Sequence, residues 1–111
     1  MYSGGDIVLI NFPFTNLINS KIRPALIITD RKEDVIVLGI FSKIPDAMED
    51  SWLLIDEHAG WFKQTGLKKI SVIKTEKIAA VHNSIVRKKL GSVPDKILVE
   101  VKEKLRKTLN I

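Results

Sequence analysis

Apolar positions along the chain fall first into short runs and only near the end into a helical stripe. Ile7-Val8-Leu9-Ile10, led in by Gly4-Gly5-Asp6, has the length and flank of a strand buried on both faces. Asn11-Phe12-Pro13-Phe14-Thr15-Asn16 should interrupt it, because proline cannot donate to a ladder, and the loop continues through Asn19-Ser20-Lys21. Pro24–Thr29 predicts a second strand and Val35–Phe41 a third. The five polar residues between them, Asp30 to Asp34, make the pair a hairpin. A polar connection containing Pro45-Asp46 then leads to Trp52-Leu53-Leu54-Ile55, a fourth strand. Ile70-Ser71-Val72-Ile73-Lys74 alternates as a half-exposed strand does, with 77–81 and 84–87 as less regular candidates.

From Ser92 the period changes. Ile97, Val101, Leu105 and Leu109 recur every fourth residue and Leu98 widens the stripe, which predicts one face of an amphipathic helix. Ser92 with Asp95 three residues on suits a capping box, and Pro94 belongs in a first turn. Glu100 with Lys104 and Glu103 with Lys107 stand in the favourable order for pairs four apart. Strand after strand followed by one helix predicts an α+β layout, mainly β, in which an antiparallel or barrel-like sheet carries a single helix. At 111 residues the chain forms one domain, 1–111, without the two-domain cleft of larger enzymes.

Composition narrows the function classes. There is no cysteine, which removes disulfide scaffolds, cysteine-based zinc sites and thiol catalysis, and fits a reducing cytoplasm. The net charge of +5 is unevenly placed. Residues 1–55 hold 5 Lys+Arg and 7 Asp+Glu, a net of −2, whereas residues 56–111 hold 13 and 6, a net of +7. A basic half of this kind attracts phosphate backbones or an acidic protein, although a lysine-rich face can also be plain solvation. No stretch approaches the length of a membrane span, and the N-terminus lacks the pattern of a signal peptide.

Familiar catalytic motifs are missing: there is no Gly-rich phosphate loop, HExxH or GxSxG. A site would have to be assembled from single polar residues at strand ends. His58 and His82 are the natural general acid–base candidates but lie in contexts where a surface histidine is the simpler reading. Asp46, Glu49 and Asp50 offer hard-metal oxygens without a ligand spacing to support them. Arg23 differs. The residue before a proline is held extended, so the backbone of Arg23 is fixed at the mouth of a buried strand, with its guanidinium ready for a phosphate. The competing reading is an exposed arginine paired with Asp6 or Asp30.

Gly5-Asp6-Ile7-Val8-Leu9-Ile10-Asn11-Phe12-Pro13-Phe14-Thr15, followed by Ser20-Lys21-Ile22-Arg23-Pro24-Ala25-Leu26-Ile27-Ile28, resembles the N-terminal signature of the MazF/PemK-like toxins of type II toxin–antitoxin systems. A third strand, a later Gly91-Ser92-Val93 and a closing amphipathic helix extend the likeness along the chain. The resemblance implies an SH3-like antiparallel barrel with a C-terminal helix, a cytoplasmic homodimer, and metal- and cofactor-free cleavage of single-stranded RNA at short motifs. It also implies a cognate antitoxin whose flexible acidic segment lies on the toxin surface, and binding to operator DNA only as the toxin–antitoxin complex.

The family arginine of Arg-Pro-Ala-Leu falls on Arg23, which would stabilise charge as the 2′-OH attacks the adjacent phosphate to leave a cyclic phosphate. Its partner in the family is a threonine at the end of the third strand. Here Phe41 occupies that place and Ser42 follows it. Strand side chains alternate, so Ser42 takes the threonine's direction only if a one-residue bulge intervenes. Ser42 is the expected second catalytic residue, and Thr15, Ser20, Lys21 and Lys43 the expected substrate-binding ones. Phe41 could serve as a stacking platform for a base or as an ordinary core residue. The alternative to the enzyme is a degenerate barrel that binds nucleic acid or antitoxin without cleaving.

Overall fold

The structure, a computed structural model, describes residues 1–12 and 21–111; of Phe12 and Lys21 it describes the backbone. The expected loop around Pro13, with Thr15 and Ser20, lies outside the described residues. Among the described residues six strands form one sheet: β1 (Asp6–Phe12), β2 (Lys21–Asp30), β3 (Asp34–Phe41), β4 (Trp52–Ile55), β5 (Ser71–His82) and β6 (Val86–Ser92). Helix α1 (Asp95–Leu109) follows. The order across the sheet is β4-β5-β3-β2-β1-β6, and each neighbouring pair is antiparallel.

Alternation along the strands builds two apolar clusters. Ile7, Leu26, Leu38, Ile40, Leu53, Ile55 and Ile73 join Val101 and Leu105 of α1 in one. Val8, Ile10, Ala25, Ile27, Val35, Val37 and Val81 form the other. This explains the uninterrupted run in β1, since Ile7 serves one cluster while Val8 and Ile10 serve its counterpart. The edges of the sheet are joined by the β4–β5 connection, in which a 3-10 turn (Phe62–Thr65) packs on β6. That approach requires glycine. A Cβ on Gly91 would stand 2.2 Å from the Gln64 carbonyl oxygen, and one on Gly66, whose φ is +73°, 2.1 Å from that of Leu90.

Several local expectations change. β1 runs on to Phe12 and β2 begins at Lys21, so residues expected in a loop are paired as Phe12–Lys21 and Asn11–Ile22. The separate stretches at 70–74 and 77–81 are one strand, interrupted where Leu38 pairs with Ile78 but Gly39 with Lys74. The extra residues form a bulge that reverses the alternation and hides the continuity. The candidate at 84–87 lies instead at 86–92, because Asn83–Ile85 is a 3-10 turn. Ser92 is not the helix cap: it ends β6, and its hydroxyl accepts from Gln64 Nε2 at 3.2 Å. The carbonyl of Pro94 takes the first helical bonds, from Ile97 and Leu98, with no side-chain cap. Leu109, the last member of the stripe, is exposed.

The expected helix ion pairs also rearrange. Lys104 donates to the Asp50 carbonyl at 2.7 Å, which ties α1 to the segment before β4, and Glu103 pairs with Arg106 at 3.6 Å. A buried hydroxyl link strengthens the junction: Thr75 of β5 bonds the Ser51 carbonyl and the Thr108 hydroxyl, at 2.7 and 2.6 Å.

Candidate active site

The site grows from the place where β2 and β3 part. Their pairing runs from Asp30–Val35 to Ala25–Gly39 and stops there, one residue short of Pro24, which has no N–H to offer. Arg23 and the end of β3 therefore face a gap in the sheet. Arg23 shares its face with Ala25 and Ile27, on the side of the second cluster, because residues two apart point the same way. Phe41 takes that same side, two beyond Gly39. The two meet, with Arg23 Cζ 5.2 Å from the Phe41 ring centre.

Two clefts open on either side of this gap, and Arg23 and Ser42 line both. The first, about 420 Å³, has an apolar floor that includes Leu9, Ile40, Leu67 and Leu90. Its cations are Lys68, Lys69 and Lys88, and its hydroxyls are Ser42 and Ser71. The second, about 410 Å³, adds Phe41, Lys43, Pro45 and Lys74 to the shared pair. No acidic residue lines either cleft among the described residues, so the field there favours an anion.

Arg23 itself is only half-buried, yet its Nε is buried and has no hydrogen-bond partner among the described residues. The competing reading, an arginine engaged by Asp6 or Asp30, is not realised: Asp30 closes the far end of β2, and each acid has other partners. Asp6 pairs with Lys89 at 3.2 Å and accepts from the Ser3 N–H. Asp30 accepts from the N–H groups of Tyr2 and Lys32, and these bonds, Tyr2's first, hold its carboxyl below the ordinary 3.8. The guanidinium is thus left with an aromatic face and an unused donor. An orphaned buried donor costs about 1–3 kcal/mol, so its persistence at a cleft mouth marks a place where an acceptor is expected from outside.

Ser42 is exposed, immediately beyond the end of β3. The conditional bulge at Phe41 is not found: Ile40–Ile73 and Phe41–Val72 pair regularly, and the irregularity lies earlier, at Leu38 and Gly39. The strand simply ends, and Ser42 reaches both clefts from the following bend. Lys43 lines the second cleft. Lys21 has its backbone paired in β2, while Thr15 and Ser20 fall outside the described residues. Neither histidine joins the site. His82 caps the turn after β5 through Ser84, and His58 lies in the turn begun by Asp56. Asp46, Glu49 and Asp50 do not converge, and no group of three potential metal ligands occurs among the described residues.

Residues that sequence reasoning passed over complete the picture. Lys68 and Lys69 precede β5, Lys88 sits in β6, and Lys74 projects from β5 between two rings, 5.1 Å from Phe41 and 4.6 Å from Trp52. Trp52 is fixed in turn by Glu76, whose two carboxylate oxygens accept from its Nε1 at 2.8 and 2.9 Å. No local pattern marks Lys74, because the two rings that hold it come from neighbouring strands.

Comparison with solved structures places this architecture among known proteins. The chain is similar to an endoribonuclease in complex with its cognate antitoxin from a mycobacterial species, with a TM-score of 0.75 at 12% identity, covering 100% of this chain and 97% of that one. It is similar to MazF from Deinococcus radiodurans, with a TM-score of 0.74 at 18% identity over 99% and 97% of the two chains. The Mycobacterium tuberculosis toxin MazF-mt6 gives 0.73 at 15% identity over 96% and 97%. The six-stranded antiparallel sheet with its C-terminal helix is thus a MazF-like barrel. Curated protein sequences give no match. The family model for the PemK-like, MazF-like toxin of type II toxin–antitoxin systems matches residues 3–109, and the chain belongs to that family.

Proposed function

We propose that the protein is an endoribonuclease toxin that cleaves single-stranded RNA at short motifs through the 2′-OH of the substrate, with Arg23 as the principal catalytic residue. The observation that carries this reading is the buried Nε of Arg23, without a hydrogen-bond partner among the described residues, at the junction of two clefts rich in cations. In the step proposed, the 2′-oxygen forms a bond to phosphorus, the bond from phosphorus to the 5′-oxygen breaks, and a cyclic phosphate remains. The proton of the 2′-OH passes to solvent, and solvent returns one to the departing 5′-oxygen. Arg23 would donate to the non-bridging oxygens as their charge grows, an interaction strongest in the transition state. An arginine stays protonated, which suits this electrostatic role better than that of a base. Because the nucleophile belongs to the substrate, the reaction requires no metal-activated water.

Ser42 is the second catalytic residue in this proposal, donating its hydroxyl to the same phosphate, and Lys43 and Lys21 would hold flanking phosphates with Thr15 and Ser20 beside them. The remaining expectations belong to the same proposal: a cytoplasmic homodimer, and an antitoxin whose acidic flexible segment competes for the lysines of the first cleft. Operator DNA would be bound by the complex alone. A second reading, a barrel that binds RNA or antitoxin without cleaving, is favoured by one observation, the aromatic Phe41 where a hydroxyl is expected.

Incubation of the purified protein with a long single-stranded RNA in EDTA separates the two. Fragments ending in cyclic phosphate that disappear with Arg23→Ala support the enzyme; retention of RNA without fragments supports the binding module. Ser42→Ala cleaving as fast as the wild type would remove Ser42 from the mechanism.

A further inference from the structure

Lys74 is held in an unusual way for a strand lysine. Its ammonium lies between the rings of Phe41 and Trp52, contributed by the strands on either side of β5. Trp52 is immobilised by both oxygens of Glu76, so that carboxylate is spent on an indole and no carboxylate stands within ion-pair distance of Lys74 among the described residues. Half-buried and unneutralised, this cation is costlier to keep than the methionine or leucine that could fill the same space. The rings repay part of that cost and fix the direction of the side chain, toward the second cleft.

Phe41 connects this arrangement to Arg23. One ring attracts the guanidinium at 5.2 Å and the ammonium at 5.1 Å, which brings to the same cleft two cations without an ion-pair partner among the described residues. From this geometry we infer that Lys74 is a second phosphate-binding residue, which grips the phosphate next to the one engaged by Arg23 on a single RNA strand. Phe41 and Trp52 are its positioning residues. The aromatic at the end of β3 thereby exchanges a hydroxyl contact to the substrate for a seat that aims two charges. The inference rests on the proposed RNA substrate but does not depend on cleavage.

Binding of a fluorescent, mixed-sequence 2′-O-methyl RNA oligonucleotide, which lacks the nucleophile, tests it by anisotropy over a range of salt concentrations. Each phosphate neutralised on a single strand contributes about 0.7 to the slope of log affinity against log salt. Lys74→Met, which keeps the apolar stem between the rings, is expected to bind several-fold more weakly and to flatten the slope by about 0.7. Lys74→Arg should keep the slope, and Lys96→Met, on α1, should leave it unchanged. Phe41→Leu should reproduce the flattening although no charge is removed, and Phe41→Tyr should not. Should Lys74→Met fail to fold, Lys74→Gln provides the same comparison. An unaltered slope in the charge-removing variant overturns the inference, as does a Phe41→Leu slope equal to wild type. Wild-type protein that leaves unmodified RNA intact while Lys74→Met still flattens the slope would defeat the ribonuclease and keep this site.

Discussion

Replacing Arg23 by methionine should make the protein more stable while abolishing its activity. Methionine retains an unbranched stem of similar reach, so the packing beside Phe41 is largely kept. The variant loses the attraction between guanidinium and ring, about 0.5–1 kcal/mol at a partly exposed site. It gains relief of a buried donor with no partner among the described residues, about 1–3 kcal/mol. The balance is a stabilisation of about 1 kcal/mol, which for a domain of this size raises the melting temperature by about 4 °C. Cleavage in the same preparation should fall by about 100-fold or more, the usual cost of removing one donor from a developing oxyanion. The two measurements are thermal unfolding followed by circular dichroism near neutral pH and single-turnover cleavage of RNA. If Arg23→Met melts several degrees below wild type, Arg23 is a structural member whose Nε is satisfied in solution, and the reasoning from its orphaned donor fails.

Three other positions give sharp expectations. Lys32 holds φ at +80° in the β2–β3 turn, where Asp30 accepts from its N–H and Asn83 donates to its carbonyl. Lys32→Gly should remove the left-handed penalty and raise the urea midpoint by an amount corresponding to about 0.5–1 kcal/mol, the gain being reduced by glycine's freer unfolded chain. Gly91→Ala should destabilise by about 3 kcal/mol or more, because its Cβ would meet backbone and not a movable side chain; a soluble variant that melts like wild type would disprove the tight closure. Asp30 has its carboxyl lowered in the folded state, so its contribution is complete above the unfolded value and is lost as the pH falls through the folded one. Below about pH 4 the wild type should therefore lose urea resistance more steeply than Asp30→Asn, and parallel profiles would contradict this.

What could be read from the sequence follows from what is local. β1, the β2–β3 hairpin, β4 and the helical stripe are carried by runs of neighbouring residues, and all appear at or near their expected positions. The sequence pattern divides β5 in two because its continuity depends on a bulge against Leu38 and Gly39, a property of the pair of strands and not of either alone. Ser92 departs from its local pattern for a similar reason: its side chain suits a helix cap, but Asp6 pairs with it in β6. At the site, Arg23 was legible because Pro24 fixes its backbone. Lys74 was not, since its meaning comes from Phe41 and Trp52, which are distant in sequence and adjacent only across the sheet.

The division of charge along the chain acquires a mechanical sense from the same geometry. The acidic half supplies Arg23 and the basic half supplies most of the other cations around it, Lys68, Lys69 and Lys88 on one side and Lys74 on the other. Such a gathering of like charge needs the clefts to be free of acids: none lines either among the described residues, and Glu76, beside Lys74, is taken by Trp52. Among the described residues, Arg23 and Ser42 alone line both clefts. A single strand laid from one cleft to the other would therefore present the phosphate at the crossing to those two residues, whichever way its ends lie. Under the proposed function, charge in the outer parts of the clefts would set affinity, while the crossing point would select the bond. Removing Lys68 or Lys88 should accordingly raise KM and flatten its salt dependence with kcat little altered, and a loss confined to kcat would place the reacting phosphate in the first cleft instead.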